Sequence, residues 1–263
     1  MKKIRLDLLL VKNNLAPSRE KARSLIMTGN VFVNGKKKEK PGDLVSCDSE
    51  IYIKSSNPFV SRGGLKLKHA LDTFKISVDG KVVMDVGAST GGFTDCLLQY
   101  GAAQVIAVEV GYGQLAWSLR NDCRVVLMEK TNVKYITEKK LPPHIDMATV
   151  DVSFISVLKV LPVLDKLDIK ELIVLIKPQF EAGPKKVGKK GVVKNPQVHL
   201  EVLENVINNA SCYKLQKLTF SPIKGPKGNI EFLAHFKKYG VQLENNIQRR
   251  VVEDAHKYFQ KPH

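Results

Sequence analysis

The residues with the clearest chemical potential lie in one stretch, DVGASTGGFTD at 85–95. Asp85 precedes a glycine-rich turn containing Gly87, Ser89, Thr90, Gly91 and Gly92, and a second acid, Glu109, ends the next apolar run, VIAVEV. Glycines let a backbone turn sharply and come close to a ligand, and a helix starting after the turn offers unpaired amides. The dinucleotide fingerprint G-x-G-x-x-G fails because position 89 is serine. The phosphate-loop pattern fails because Phe93, not lysine, follows Gly92. What remains is a turn flanked by two carboxylates. Glu109 can accept from both hydroxyls of a ribose. Asp85 would repel a pyrophosphate but can accept from an amino-acid ammonium, directly or through water. S-adenosylmethionine carries a ribose at one end and a cationic amino acid at the other, and fits this pair; a structural turn with incidental acids is the alternative.

The elements that must position these groups begin near residue 81, where strand, turn and helix start to alternate. Apolar runs predict strands near 81–86, 104–109, 124–128, 145–150 and 171–176, and helices fall near 92–100, 113–120, 157–165 and 196–210. VVMDV, VIAVEV and LIVLI are almost continuously apolar, as strands buried on both faces are. Residues 213–221 and 228–237 read as a final antiparallel hairpin at the edge of the sheet. The fold class is α/β, a doubly wound, Rossmann-like sheet.

The first segment is different. The chain carries a formal charge of +16 over 263 residues, and the first 60 hold 12 Lys+Arg against 6 Asp+Glu, about twice the basic excess per residue of the rest. Such a balance points to a polyanion. Leu6, Leu9 and Leu10 recur at helical spacing, Ser18 can cap a helix over Arg19–Met27 ended by Gly29-Asn30, VFVNG at 31–35 reads as a strand entering a turn, and IYI at 51–53 as another strand. Arg5, Arg19, Lys21, Arg23 and Lys36, with Ser18 and Asn34 at the helix start and the turn, are the candidate contacts to that polyanion. Few aromatics are interleaved, so backbone and shape recognition is expected over base stacking; a merely solvated face is the alternative. The segments are 1–56 as a small α+β module, 57–62 as linker, 63–240 as the α/β domain and 241–263 as a tail without assigned role.

Cysteines at 47, 96, 123 and 212 form no CxxC pair, and no His/Cys cluster offers a metal site. Apolar runs reach only about five residues, too short to span a bilayer. These features predict a cytoplasmic protein without metal.

RLDLLLVKNNLAPSREKARSLIMTGNVFVNGKKKEKPG at 5–42 resembles the RNA-binding domain named after ribosomal protein S4. The remainder is similar to the FtsJ-like ribose methyltransferases. The order SRGGLKL (61–67), DVGASTGGFTD, VGYGQLAW (110–117), DVSFIS (151–156) and KPQFEAG (177–183) resembles the TlyA family, rRNA 2′-O-methyltransferases also labelled haemolysins. The resemblance implies S-adenosylmethionine as cofactor and ribosomal RNA or ribosomal subunits as partner. It also implies a Lys-Asp-Lys-Glu catalytic set, matched by Lys66, Asp151, Lys177 and Glu231, with Lys68 a competitor for the first place, and an adenine contact at Asn132. In that set Lys177 would serve as base, oriented by Asp151, while Lys66 and Glu231 position the hydroxyl. The basic loop GPKKVGKKGVVKNP at 183–196 reads as a mobile lid over RNA. The rival readings are an RNA-binding assembly factor without catalysis and a membrane-lysing haemolysin; the second lacks any spanning or strongly amphipathic segment in the sequence.

Overall fold

A computed structural model describes residues 3–54, 57–136, 141–241 and 246–260. The chain divides into two compact units, 1–58 and 59–263. The expected boundary at 55–58 falls partly on residues outside the described set. Phe59 is buried in the second unit, and the backbone amide of Val60 donates to Asp95 at 2.7 Å, so the end of the expected linker belongs to the larger unit.

In the first unit β1 (Lys3–Arg5) leads into α1 (Leu6–Lys12), then α2 (Arg19–Met27), β2 (Val31–Val33), β3 (Lys36–Lys38), β4 (Leu44–Ser46) and β5 (Ile51–Ile53). β2 pairs antiparallel with both β3 and β5, and β1 pairs with β4. Leu6, Leu9 and Leu10 pack with Ala22, Ile26 and Val31 in the core, as their spacing predicts. Ser18 caps α2 by accepting from the Lys21 amide. The lysine run 36–38 is a strand, which its composition hides. Asn34 (φ 48°) and Gly35 (φ 74°) both take left-handed backbone and turn the chain directly back along β2.

In the second unit α3 (Gly63–Phe74) precedes β6 (Val82–Val86), α4 (Gly92–Gln99), β7 (Gln104–Val108), α5 (Trp117–Arg120), β8 (Val125–Met128), β9 (Met147–Val150), α6 (Leu161–Lys166), β10 (Glu171–Ile176), α7 (Pro178–Glu181), α8 (Pro196–Asn208), β11 (Lys214–Phe220), β12 (Phe232–Lys237) and α9 (Ile247–Gln260). The sheet order is β11-β12-β10-β9-β6-β7-β8. β10, β9, β6, β7 and β8 run parallel; β12 alone runs against them, and the edge strand β11, antiparallel to β12, runs in their direction again. The chain leaves β8 at one edge and returns beside β6, so strand order reverses between β6 and β9, where the carboxyl ends open a crevice. Apolar side chains fill both faces of the sheet: Leu172, Val174 and Ile176 look to one core, Ile173 and Leu175 to the other. Each such burial is worth about 1.5–3 kcal/mol.

Several elements depart from the expected ones. Region 113–120 is helical only from Trp117, 157–165 begins as a 3₁₀ turn over Val157–Lys159, and the last strand starts at Phe232, not at 228. α3, α7 and α9 are not read from the sequence. Two glycines open α3, a poor start by propensity. Gly64 is there for packing: a Cβ on it would stand 2.2 Å from the Phe59 ring.

Candidate active site

The glycine turn follows β6 and is held open by its own backbone. Gly87 (φ 87°) lies so close to the chain after β9 that a Cβ would meet the Asp151 carbonyl oxygen at 2.6 Å. Gly91 (φ 95°) stands at the start of α4 without a side-chain cap. Ser89, Thr90, Gly92 and Phe93 therefore line a cavity of about 690 Å³ and leave helix-start amides facing it. Ser61, Arg62 and Lys66 from the start of α3, Asp151, Ser153 and Phe154 after β9, Lys177, Gln179 and Phe180 after β10, Val187 and Gly191 of the basic loop, and Asn229 and Glu231 before β12 add to the wall.

Four ionisable groups face each other there as two ion pairs. Lys66 Nζ lies 2.5 Å from Glu231 Oε2, with side chains 9% and 1% exposed. Lys177 Nζ lies 2.6 Å from Asp151 Oδ1 and donates to Ser153 Oγ at 2.9 Å. Gln179 Nε2 donates to the other Glu231 oxygen at 3.1 Å. Asp151 Oδ1 and Gln179 Oε1 are buried acceptors without an aligned hydrogen-bond donor among the described residues; for Asp151 the Lys177 contact is close but off the hydrogen-bonding direction. Lys177 is fixed by the rigid end of β10 and by Pro178, which keeps it extended (φ −109°, ψ 101°). Lys68, the competitor of Lys66, bonds Asp72 and Tyr100 and lies outside the cavity lining.

A scan against family profiles matches residues 59–238 to FtsJ-like methyltransferase and residues 4–51 to the S4 domain. The protein YqxC of Bacillus subtilis is 49% identical over 271 residues, covering 97% of this chain and 95% of that one. The chain belongs to the FtsJ-like methyltransferase family. The 16S/23S rRNA (cytidine-2′-O)-methyltransferase TlyA of Mycobacterium tuberculosis is 40% identical, with 97% of this chain and 96% of that protein covered. A solved structure described as a candidate hemolysin from Streptococcus thermophilus is 42% identical and superposes with a TM-score of 0.76 over 99% of this chain and 98% of that one.

Within this FtsJ-like chain the expected residues are placed unequally. Lys66, Asp151, Lys177 and Glu231 come together from four separate segments; Gly87, Ser89, Thr90 and Gly92 of the one turn line the same cavity, and Gly91 does not. Asp85, expected to accept from an ammonium directly or through water, lies outside the cavity lining. It is fully buried, accepting from Thr94 Oγ1 at 2.7 Å and Thr149 Oγ1 at 2.9 Å. Burial raises its carboxyl to about 6, against the lowering effect of those two hydroxyls. It holds the turn from behind. Glu109 is nearly buried beside the turn, lies outside the cavity lining, and accepts from the amides of Ser89 at 2.8 Å and Gly111 at 2.7 Å. Each oxygen retains a lone pair for a ribose hydroxyl. Asn132 is exposed, caps the 3₁₀ turn at 133–135 by accepting from the Lys134 amide, and lies outside the cavity lining. Ser153, Gln179 and Asn229 were missed because nothing in their spacing marks them; the only signal is proximity to Asp151, Lys177 and Glu231.

In the first unit, Arg5 and Arg19 converge on a buried acid, Asp7, that no motif marks. Arg5 Nε and Nη2 and Arg19 Nε each donate to the Asp7 carboxylate at 3.0 Å. These bonds, Arg5 first, hold the Asp7 carboxyl down at about 2. Both guanidiniums remain about half exposed and are thereby aimed rather than free. Lys21, Arg23 and Lys36 are exposed. Ser18 and Asn34 serve the fold, Ser18 as the α2 cap and Asn34 by accepting from the Glu50 amide at 2.9 Å. All four cysteines are free, and no helix among the described residues is long and apolar enough to cross a membrane.

Proposed function

We propose that this chain is an S-adenosylmethionine-dependent 2′-O-methyltransferase of ribosomal RNA. The observation that carries this reading is the meeting of the Lys177–Asp151 and Lys66–Glu231 pairs on the wall of a cavity floored by an uncapped glycine turn. The residues present suit the cofactor: the open amides at Gly92 and Phe93 suit its carboxylate, and the spare lone pairs of Glu109 suit its ribose. When bound, S-adenosylmethionine supplies a methyl group on sulfonium sulfur, already activated for attack by oxygen. The protein's task is to align a weak nucleophile and take its proton. A ribose hydroxyl seated beside the Lys177–Asp151 pair loses its proton in a relay, Lys177 Nζ taking it as it hands one of its own to the Asp151 carboxylate. Lys66, held by Glu231, which is itself held by Gln179, fixes the positive side of the site next to the oxygen. Phe154 is 91% exposed at the cavity wall, in left-handed backbone (φ 63°), with its ring 5.1 Å from Phe180; an aromatic held this way can stack on a nucleobase. The S4 unit supplies phosphate contacts from Arg5, Arg19, Lys21, Arg23 and Lys36. The relative from Mycobacterium tuberculosis, named for cytidine 2′-O methylation of 16S and 23S rRNA, supports the same substrate class. With its free cysteines the protein suits a cytoplasmic setting.

The test is methyl transfer from labelled S-adenosylmethionine to rRNA, with the modified linkage identified by its resistance to alkaline cleavage. Calorimetry of the cofactor with wild type and Glu109→Ala checks the cofactor site. Label found on a base, or binding of NAD in place of S-adenosylmethionine, overturns the reading; equal cofactor affinity in the two proteins removes Glu109 from the site.

A further inference from the structure

The C-terminal helix α9 has no part in the chemistry above, yet hydrogen bonds lead from it to the cavity. His256 on α9 meets His199 on α8, Nε2 to Nδ1, at 2.9 Å. His199 is fully buried, with Nε2 3.2 Å from the carbonyl oxygen of Val193. A carbonyl only accepts, so His199 Nε2 carries the proton and Nδ1 of the neutral ring accepts. His256 is therefore the donor, through Nε2–H. The Val193 amide donates to Asn229 Oδ1 at 2.9 Å, and Asn229 Nδ2 donates to the Gly191 carbonyl at 2.9 Å. Gly191 and Asn229 line the cavity, two residues from Glu231 in the case of Asn229. The run thus joins the C-terminal helix, α8, the basic loop 183–196 and the turn before β12. That loop, expected as a mobile lid, is also tied by Lys186 to Glu201 at 2.6 Å and by the burial of Val193. Its exposed Lys189 and Lys190 directly precede Gly191.

We propose that α9 sets the position of this cavity wall through His256, His199 and Asn229, making His256 a positioning residue for the RNA substrate although it lies outside the cavity. The proposal rests on the cavity being the RNA ribose site. Loss of the His256 donor leaves His199 Nδ1 unpaired and loosens its hold on Val193. One hydrogen bond of about 0.5–1.5 kcal/mol corresponds to about a 2–12-fold change in an equilibrium.

The experiment uses the full chain with His256→Leu, which fills similar space without a donor, and His256→Gln, whose amide N–H can replace Nε2–H. In methyl transfer to rRNA, His256→Leu is expected to raise KM for RNA by about 2–12-fold, with kcat and cofactor affinity little changed, and His256→Gln to restore it. Hydrogen exchange of the amides at 187–193 on the same proteins should speed up in the leucine variant and not in the glutamine variant. Unchanged KM in His256→Leu overturns the proposal, whether or not exchange changes, and so does equal loss in both variants, which would mark general damage to α9. If the wild type transfers no methyl group to RNA, the functional reading falls with it, and exchange alone then decides whether α9 holds the loop.

Discussion

Replacing Lys66 with methionine separates what the Lys66–Glu231 pair does for stability from what it does for the reaction. Methionine keeps the stem's bulk and removes the charge. Glu231, 1% exposed, is then left with the single Gln179 hydrogen bond at 3.1 Å in a site nearly closed to water. Removing one partner of a buried ion pair costs about 3–5 kcal/mol. Lys66 borders the cavity, so water can enter the vacated space, and the lower end, about 3 kcal/mol, is expected. For a unit of about 200 residues that lowers Tm by about 6–12 °C. The double variant Lys66→Met/Glu231→Leu removes the stranded carboxylate and should recover about 2 kcal/mol relative to the sum of the single losses. Urea unfolding at 25 °C on all four proteins, with constant m, closes this cycle. Methyl transfer should be lost in the single and double variants alike. Additive stability losses would refute the coupling; a Lys66→Met protein with wild-type turnover would remove Lys66 from the reaction.

Lys177→Ala should abolish single-turnover methyl transfer while cofactor and RNA still bind, and Lys177→Arg, which keeps a charge that does not titrate, should be as inactive; substantial rescue by arginine would make Lys177 an electrostatic positioner and Asp151 the proton acceptor. Reversing Arg23 and Lys36 to Glu should weaken rRNA binding and reduce its salt dependence without changing cofactor affinity, and unaffected titrations would deny the S4 unit its role; Arg19 is unsuitable for this reversal because a glutamate there would face the buried Asp7. Asp85→Asn tests the buried carboxyl under the turn: because the folded-state value is raised to about 6, ionising Asp85 disfavours folding, so its contribution to stability declines as pH rises from about 4 to 6 and stays low above that. A shift of about two units amounts to about 3 kcal/mol, so the variant should gain on wild type across that interval in urea unfolding, and a difference independent of pH between 4 and 7 would count against the assignment.

Local sequence was enough wherever the deciding physics was local. The almost continuously apolar β6, β7 and β10 state their own burial, the Leu6-Leu9-Leu10 spacing states a helix face, and Ser18 and the glycine turn announce the starts of α2 and α4. The four catalytic candidates were legible only through resemblance, because a lone lysine or carboxylate looks like a surface charge until the fold brings 66, 151, 177 and 231 together. What the sequence by itself determined was the order of the apolar sheet strands, the basic module and a glycine turn flanked by two acids. Tertiary structure alone decided who partners whom. It set Asp85 against Thr94 and Thr149, drew Arg5 and Arg19 onto Asp7, paired Lys66 with Glu231 and tied α9 to the loop through His199. The physical reason is that burial makes an unpaired charge or polar atom costly, and the partner that relieves it is whichever group the packing of distant segments brings within about 3 Å, a distance that spacing along the chain does not encode.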